Sequence, residues 1–392
     1  MTTFTIILGI LLFSLLILIH ELGHFLTAKK FGIRVDEFGM GYPPRLIGFY
    51  RDEKTKKWKL ILGGDKKEKK KKKKEKPKST IYSLNLIPFG GFVRIFGQDR
   101  EDEGSEKEED SFNSKNVLKR SIVLLAGIIA NFVLAIVLLS LVFMIGAPVS
   151  TTDIEEQAAG QNEIVRIIDV NPSSPADVAG IRAGDIIETL AFQDSKITIG
   201  NIKQVQDFIG EHKGKEIQVM VIRAEEKKNF AVTPRLEFPN NEGPLGVSLV
   251  STVIVKYPWY TSIWKGTVYA FSLLMAIFKG FYLLLRSLIF RGELIAEVAG
   301  PVGIFKLTSQ AASMGWVYFL HFGAFLSINL AVLNGLPFPA LDGGRFLFIL
   351  IEKIKGSPIK AKTERIVNSV GFGLLILLMI FITARDVIKL FN

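Results

Sequence analysis

Two histidines four residues apart, with a glutamate beside the first, open the chemical argument: His20-Glu21-Leu22-Gly23-His24. On a helix, positions i and i+4 share one face, a turn apart, so both imidazoles can reach a single metal ion. Glu21 is angled to hold a metal-bound water rather than the metal. That is the equipment of metal-assisted hydrolysis. The plainer alternative is a pair of core histidines beside a buried carboxylate. The motif ends an uncharged stretch running from residue 2 to residue 20. Ionisable groups inside a bilayer are costly unless paired or functional, which weighs against the plainer alternative.

A catalytic zinc commonly takes three protein ligands and keeps one position open. The chain has no cysteine, so thiolate sites, iron–sulfur clusters and disulfides are excluded. The other two histidines are His212 and His321. His321 sits near the outer end of its apolar run, roughly 20 Å along the helix axis from the inner end. His20 and His24 fall at an inner end. The better third ligand is Asp342, in the segment Asn334-Gly335-Leu336-Pro337-Phe338-Pro339-Ala340-Leu341-Asp342-Gly343-Gly344. Its prolines and glycines unwind the run at the matching depth. Irregular backbone at membrane depth is tolerated only where protein or a wet cavity covers it. An ordinary span-ending turn is the alternative.

The elements that must position these residues are membrane spans. Nearly half of the 392 residues are hydrophobic, and they are clustered, as in a membrane protein. The first run passes straight into the histidine motif without the basic flank and small-residue cleavage site of a signal peptide. A second uncharged run covers Ser121 to Thr152, a third runs from about Gly315 to Leu336, and a fourth covers Ile366 to Ala384. Residues 260 to 290 also look apolar, but Lys265, Lys279 and Arg286 recur at multiples of seven and fall near one helical face. We read residues 258–292 as an amphipathic helix in the interface, with a true span as the alternative.

Four spans place the segments Lys29 to Arg120 and Arg345 to Arg365 on one side. Both are basic, so the positive-inside rule makes that side cytoplasmic. The net charge of +11 owes most of its excess to ten lysines between Asp65 and Lys78. That run reads as a solvated tether, with contact to anionic lipid headgroups as an extra role, and not as a nucleic-acid surface.

Residues 160–252 read as an α/β module on the outer side. Ile164 to Ile168 has strand composition, and Asn171-Pro172-Ser173-Ser174-Pro175-Ala176 is a turn entering a short helix. A helix is expected near Lys203 to His212, with strands near Glu216 to Arg223 and Phe230 to Pro234. The segment "PSSPADVAGIRAGDII" resembles a PDZ domain of the bacterial, permuted type. Gly243-Pro244-Leu245-Gly246-Val247 looks like its carboxylate-binding loop. Such domains add a peptide as an extra strand at a sheet edge. His212 reads as a surface residue.

Taken together, "HELGH" in a first span, a PDZ-like module and "NGLPFPALDGG" in a third span resemble the site-2 protease family of intramembrane zinc metalloproteases. The segments "FGMGYPPRLIGF", "LIPFGGFVRIFG" and "GPVGI" extend the likeness to its bacterial RseP/RasP-type branch with a single PDZ domain. The lysine-rich insertion departs from that pattern. The resemblance implies Zn2+ held by His20, His24 and Asp342, with Glu21 as catalytic acid/base. It also implies substrate contacts from Asn329, Asn334 and Pro337, and from a re-entrant, β-like loop at 86–97 that includes Gly90, Gly91, Phe92 and Val93.

The fold class this implies is a polytopic α-helical membrane protein. Its four transmembrane helices lie at 1–30, 117–148, 314–345 and 365–386. An extracytoplasmic PDZ domain occupies 160–252. The cytoplasmic or membrane-associated region 31–116 contains the membrane-embedded β-like loop and the lysine run 65–78. The implied home is the bacterial plasma membrane, with the catalytic site near the cytoplasmic side. The implied partners are transmembrane protein or peptide substrates such as anti-sigma factors or signal-peptide remnants, the lipid bilayer, and a peptide C-terminus at the PDZ domain. Two rival functions remain: a non-proteolytic receptor or scaffold, and a metal transporter. The intact metal motif disfavours the first, and the lack of an internal repeat disfavours the second.

Overall fold

The computed structural model describes residues 3–52, 55–63, 79–98, 108–150, 163–223, 226–239, 242–291 and 299–391. The lysine run 65–78 and the acidic residues 99–107 lie outside the described residues. The chain forms two compact units. One comprises Met1–Leu138, Thr267–Lys306 and Gly323–Asn392; the other comprises Leu139–Gly266 and Leu307–Phe322.

In the first unit, α1 (Thr3–Lys30) and α2 (Val117–Ile145) are long apolar helices. Lys29 and Lys30 close α1, where cations suit the negative end of the helix dipole. The two helices touch closely because Gly23 lacks a side chain: a Cβ there would lie 2.4 Å from the Ala126 carbonyl oxygen. Small residues at such crossings let backbones approach within a membrane. His24 meets Val123 and His20 meets Asn131, so α2 runs antiparallel to α1. Helix α7 (Trp316–Gly335) runs parallel to α1. Its Gly323 faces Leu12 and Leu138, its Ser327 hydroxyl donates to the Asn131 carbonyl at 2.8 Å, and Gly335 faces Ile128.

Strands β1 (Val35–Arg51), β2 (Trp58–Leu62) and β3 (Ile81–Ile95) form an antiparallel sheet in the order β2-β1-β3. The pairing of β1 with β3 is double: Phe38, Gly39 and Met40 face Tyr82, Ser83 and Leu84 on one side and Val93, Phe92 and Gly91 on the other. β3 therefore wraps around β1, turning at Gly90, whose φ of 72° suits glycine. Its second arm, 91–95, ends up beside α1. Arg45 and Glu37 form a buried two-bond ion pair within β1, at 3.0 and 2.7 Å. Trp58, Leu60, Leu62, Leu84 and Leu86 are exposed on the sheet, which suits an apolar surrounding better than water.

After α7, the chain unwinds and re-forms as α8 (Asp342–Lys355), then α9 (Ala361–Phe391). Arg120 of α2 donates to Glu352 of α8 at 3.0 Å, both nearly buried. Glu352 also accepts the Ile359 N–H at 3.0 Å.

The second unit carries the α/β module. Strands β4 (Ala147–Ser150), β5 (Ile164–Val170), β6 (Ile186–Phe192), β7 (Ser195–Thr198), β8 (Ile217–Arg223), β9 (Glu226–Val232) and β10 (Val247–Val255) form one antiparallel sheet. Its order is β4-β10-β5-β6-β8-β9, with β7 on β6. Helices α3 (Pro175–Ala179) and α4 (Ile202–Glu211) complete it. The Ser174 side chain caps α3, and Asn201 caps α4. Val165, Ile167, Ile187, Leu190, Val205 and Phe208 sit in its core. His212 is not a free surface residue. It closes α4, its Nδ1 donates to the Phe208 carbonyl at 2.7 Å, and its ring stacks on Phe208. Arg235 beside Glu242 holds that carboxyl below the usual range.

Where the sequence gives four spans, five described helices are long and apolar enough to cross a membrane. The fifth is α5 (Trp259–Arg291), over Trp259–Leu284. Its start is tied to the end of α2 by the Tyr257 N–H on the Phe143 carbonyl, at 3.0 Å. Gly266 then abuts Ser140, and Phe271 meets Phe132 at 4.9 Å, so α5 descends alongside α2 rather than leaving it at once. Helix α6 (Pro301–Ser313) follows; the Gly303 N–H donates to Asp386 of α9 at 2.8 Å.

Candidate metal centre

Three side chains from two distant parts of the chain converge. His20 Nε2 lies 2.9 Å from Asp342 Oδ2, His24 Nε2 lies 3.1 Å from the same oxygen, and the two Nε2 atoms are 3.1 Å apart. Ligands in a tetrahedron of 2.0 Å bonds would stand roughly 3.3 Å apart, so the triangle is close to one face of a zinc site. Among the described residues, this is the group able to hold a metal, and both histidines are buried.

The donor chemistry also fits a cation. His24 Nδ1 lies 2.8 Å from the Val123 carbonyl, which can only accept, so the His24 ring proton is on Nδ1. In the neutral ring, Nε2 is then a lone pair, and it faces a carboxylate oxygen. Two acceptors at 3.1 Å repel unless a metal ion or a proton lies between them.

Local sequence explains the convergence. Gly127 of α2 sits under both rings; a Cβ there would lie 2.4 Å from His24 Nε2 and 2.8 Å from His20 Cε1. Gly343 and Gly344 let the start of α8 fold back on the preceding loop. A Cβ on Gly343 would lie 2.3 Å from the Leu336 carbonyl oxygen, and one on Gly344 would lie 2.1 Å from that of Phe338. Ala340 is held at a φ of 74°, which favours glycine, and its N–H donates to Asn368 of α9 at 3.1 Å.

Glu21 does not join the triangle. Its Oε2 accepts the Val93 N–H at 3.1 Å, placing it between the centre and the second arm of β3. A cavity of about 510 Å³ opens here, lined by His20, Glu21, His24 and Asp342 together with Gly91, Phe92, Val93 and Asn334. Gly90, Asn329 and Pro337 lie off this lining. Gly90 makes the turn, and the Asn329 side chain donates to the Phe325 carbonyl of its own helix at 2.9 Å. Sequence reading missed Tyr42, Gln98 and Arg345, which also line the cavity. For Arg345 the signal was available: it lies three residues after Asp342, on the same helical face.

Residues 8–81 and 68–378 match the model of peptidase family M50. A Clostridium perfringens protein provisionally named a zinc metalloprotease is 34% identical over 388 residues, which cover 98% of each chain. The zinc metalloprotease RasP of Oceanobacillus iheyensis is 28% identical over 470 residues, and the regulator of sigma-W protease RasP of Bacillus subtilis is 27% identical over 469; each alignment covers 99% of both chains.

Proposed function

We propose, from the premise that this chain belongs to peptidase family M50, the site-2 proteases, that its zinc is held by His20, His24 and Asp342 and that Glu21 is its catalytic acid/base. As a member, the chain is a multi-pass membrane zinc metalloprotease. The observation that carries the residue assignment is the triangle of Nε2, Nε2 and Oδ2 atoms.

Bound zinc would lower the pKa of its water toward 7 and polarise the scissile carbonyl. Glu21 takes a proton from the attacking water and passes it to the leaving amine. The substrate is an extended peptide, because a helix keeps its carbonyls in its own hydrogen bonds. Arm 91–95 of β3 offers it a backbone edge, and Asn334 a side-chain amide at the same cavity. The substrate class is a transmembrane segment that unwinds locally. The name of the Bacillus subtilis relative makes a membrane-tethered regulator of a sigma factor the first kind of substrate to try.

The helix directions support four net crossings. Helices α5 and α7 both start at the same end of α2, so the intervening chain leaves that side and returns to it. With α9 as the fourth crossing, we read the basic segments 29–120 and 345–365 as cytoplasmic and the α/β module as extracytoplasmic, on the positive-inside rule. We assign that module as a PDZ domain. Support comes from β10 following the Gly243–Gly246 loop and from β4 pairing with β10 only at residues 252 to 255. Its role is to filter substrates by the size of their outer domains.

The test is reconstitution with a labelled membrane substrate, with and without a zinc chelator, alongside Glu21→Gln. Cleavage that survives either treatment would reject the assignment. Equal cleavage of trimmed and large-ectodomain substrates would reject the size filter.

A further inference from the structure

Both histidines aim Nε2 at the centre, so each must carry its ring proton on Nδ1 and needs an acceptor there. His24 has one in the Val123 carbonyl, at 2.8 Å. For His20 the neighbour is the Asn131 side-chain amide, whose Nδ2 lies 3.3 Å from His20 Nδ1. Asn131 is fully buried, in the middle of apolar α2. A buried amide in such surroundings costs free energy unless it is hydrogen-bonded. Among the described hydrogen bonds, its side chain makes one, and that one goes to His20. Its backbone carbonyl is held separately by the Ser327 hydroxyl of α7.

Resting on the zinc reading above, we propose that Asn131 is a positioning residue whose side-chain oxygen accepts the Nδ1 proton of His20 and so fixes the tautomer and ring angle of that ligand. An asparagine amide exchanges donor and acceptor by a 180° turn with no change of shape. Metal at Nε2 requires the turn that presents Oδ1. Helix α2 then supplies acceptors to both ligand rings, a carbonyl for His24 and an amide oxygen for His20, eight residues apart.

The test uses the purified full chain and reads zinc affinity by competition with a chelator, beside cleavage. Asn131→Leu keeps the volume and removes the acceptor; zinc should bind about 10- to 100-fold more weakly. Asn131→Asp keeps an acceptor and should hold zinc within a few-fold of the parent. In cobalt(II)-substituted protein, parent and Asn131→Asp should share a d–d absorption spectrum that Asn131→Leu alters. Ser327→Ala, which loosens the same stretch of α2 without touching His20, should leave zinc affinity unchanged. Parent-like zinc binding in Asn131→Leu would overturn the proposal. So would equal losses in Asn131→Leu and Asn131→Asp, or in Ser327→Ala. If Asn131→Leu does not fold, Asn131→Asp and Ser327→Ala still decide, since loss of zinc in either contradicts it. Failure of the zinc reading itself is distinct: the parent would then bind no zinc.

Discussion

Glu21 Oε2 accepts a hydrogen bond from the Val93 backbone N–H at 3.1 Å, so the carboxylate beside His20 already holds an amide of the second β3 arm. A substrate strand pairing with that arm competes with Glu21 for the amide. On the proposed mechanism, binding of the substrate and release of Glu21 are one event. Glu21→Ala should therefore bind an uncleaved transmembrane segment about three- to tenfold more tightly than Glu21→Gln, the value of one ordinary hydrogen bond. Fluorescence titration in nanodiscs reads the difference. Equal affinities would show that the substrate does not use the Val93 amide.

Glu21→Gln itself should reduce cleavage by about 10²- to 10⁴-fold, the usual contribution of a general base, while zinc content stays at the parent level. The carboxamide oxygen can still accept from Val93, so the strand keeps its place. Metal analysis beside a cleavage assay checks both halves.

The close approach of Gly127 to both rings makes a one-carbon change decisive. A methyl group at 2.4 Å from His24 Nε2 cannot be accommodated, and α2 and α1 are already in contact at Gly23. Gly127→Ala should weaken zinc binding by at least about tenfold, through the ligand geometry. Retained parent affinity would mean that α2 can withdraw without cost to the centre.

The convergence of His20, His24 and Asp342 was legible because their spacing, residue type and place at the ends of apolar runs all carry information. The histidine pair shares a face by helical period, and Asp342 sits where prolines and glycines break a span. Asn131 and Gly127 were not read, although Asn131 is the one carboxamide in the uncharged run from Ser121 to Thr152. Their meaning depends on which helix packs against which, and that pairing leaves no local trace. The wrap of β3 around β1 is equally silent, because strands with apolar groups on both faces lose the period of two. The descent of α5 along α2 escaped for a related reason. Lys265, Lys279 and Arg286, at multiples of seven, mark a polar stripe, but they do not say whether the opposite face meets lipid or a helix.

The Arg120–Glu352 pair holds the start of α2 to α8, the helix that begins with Asp342. Glu352→Ala leaves the Arg120 charge buried without its partner, and the Ile359 N–H loses its acceptor as well. The cost should be roughly 3–5 kcal/mol. Denaturant unfolding in detergent would measure it, and a loss under 1 kcal/mol would mean that the pair is solvated.

The path of the chain through the bilayer can be read by labelling. With no cysteine in the protein, single cysteines report sidedness without background. Ser195 lies in β7, Ser313 ends α6, and Ser357 follows α8; all three are exposed. If α5 descends beside α2 and the chain returns before α7, Ser195→Cys and Ser313→Cys should react with an impermeant maleimide from outside intact cells. Ser357→Cys should react only after permeabilisation. A single, unreturned crossing by α5 would put Ser313 with Ser357 instead. It would also force α7 to run opposite to α1, carrying Asp342 to the far side from His20 and His24. Labelling of Ser313→Cys only after permeabilisation would thus contradict both the path and the shared depth of the three ligands.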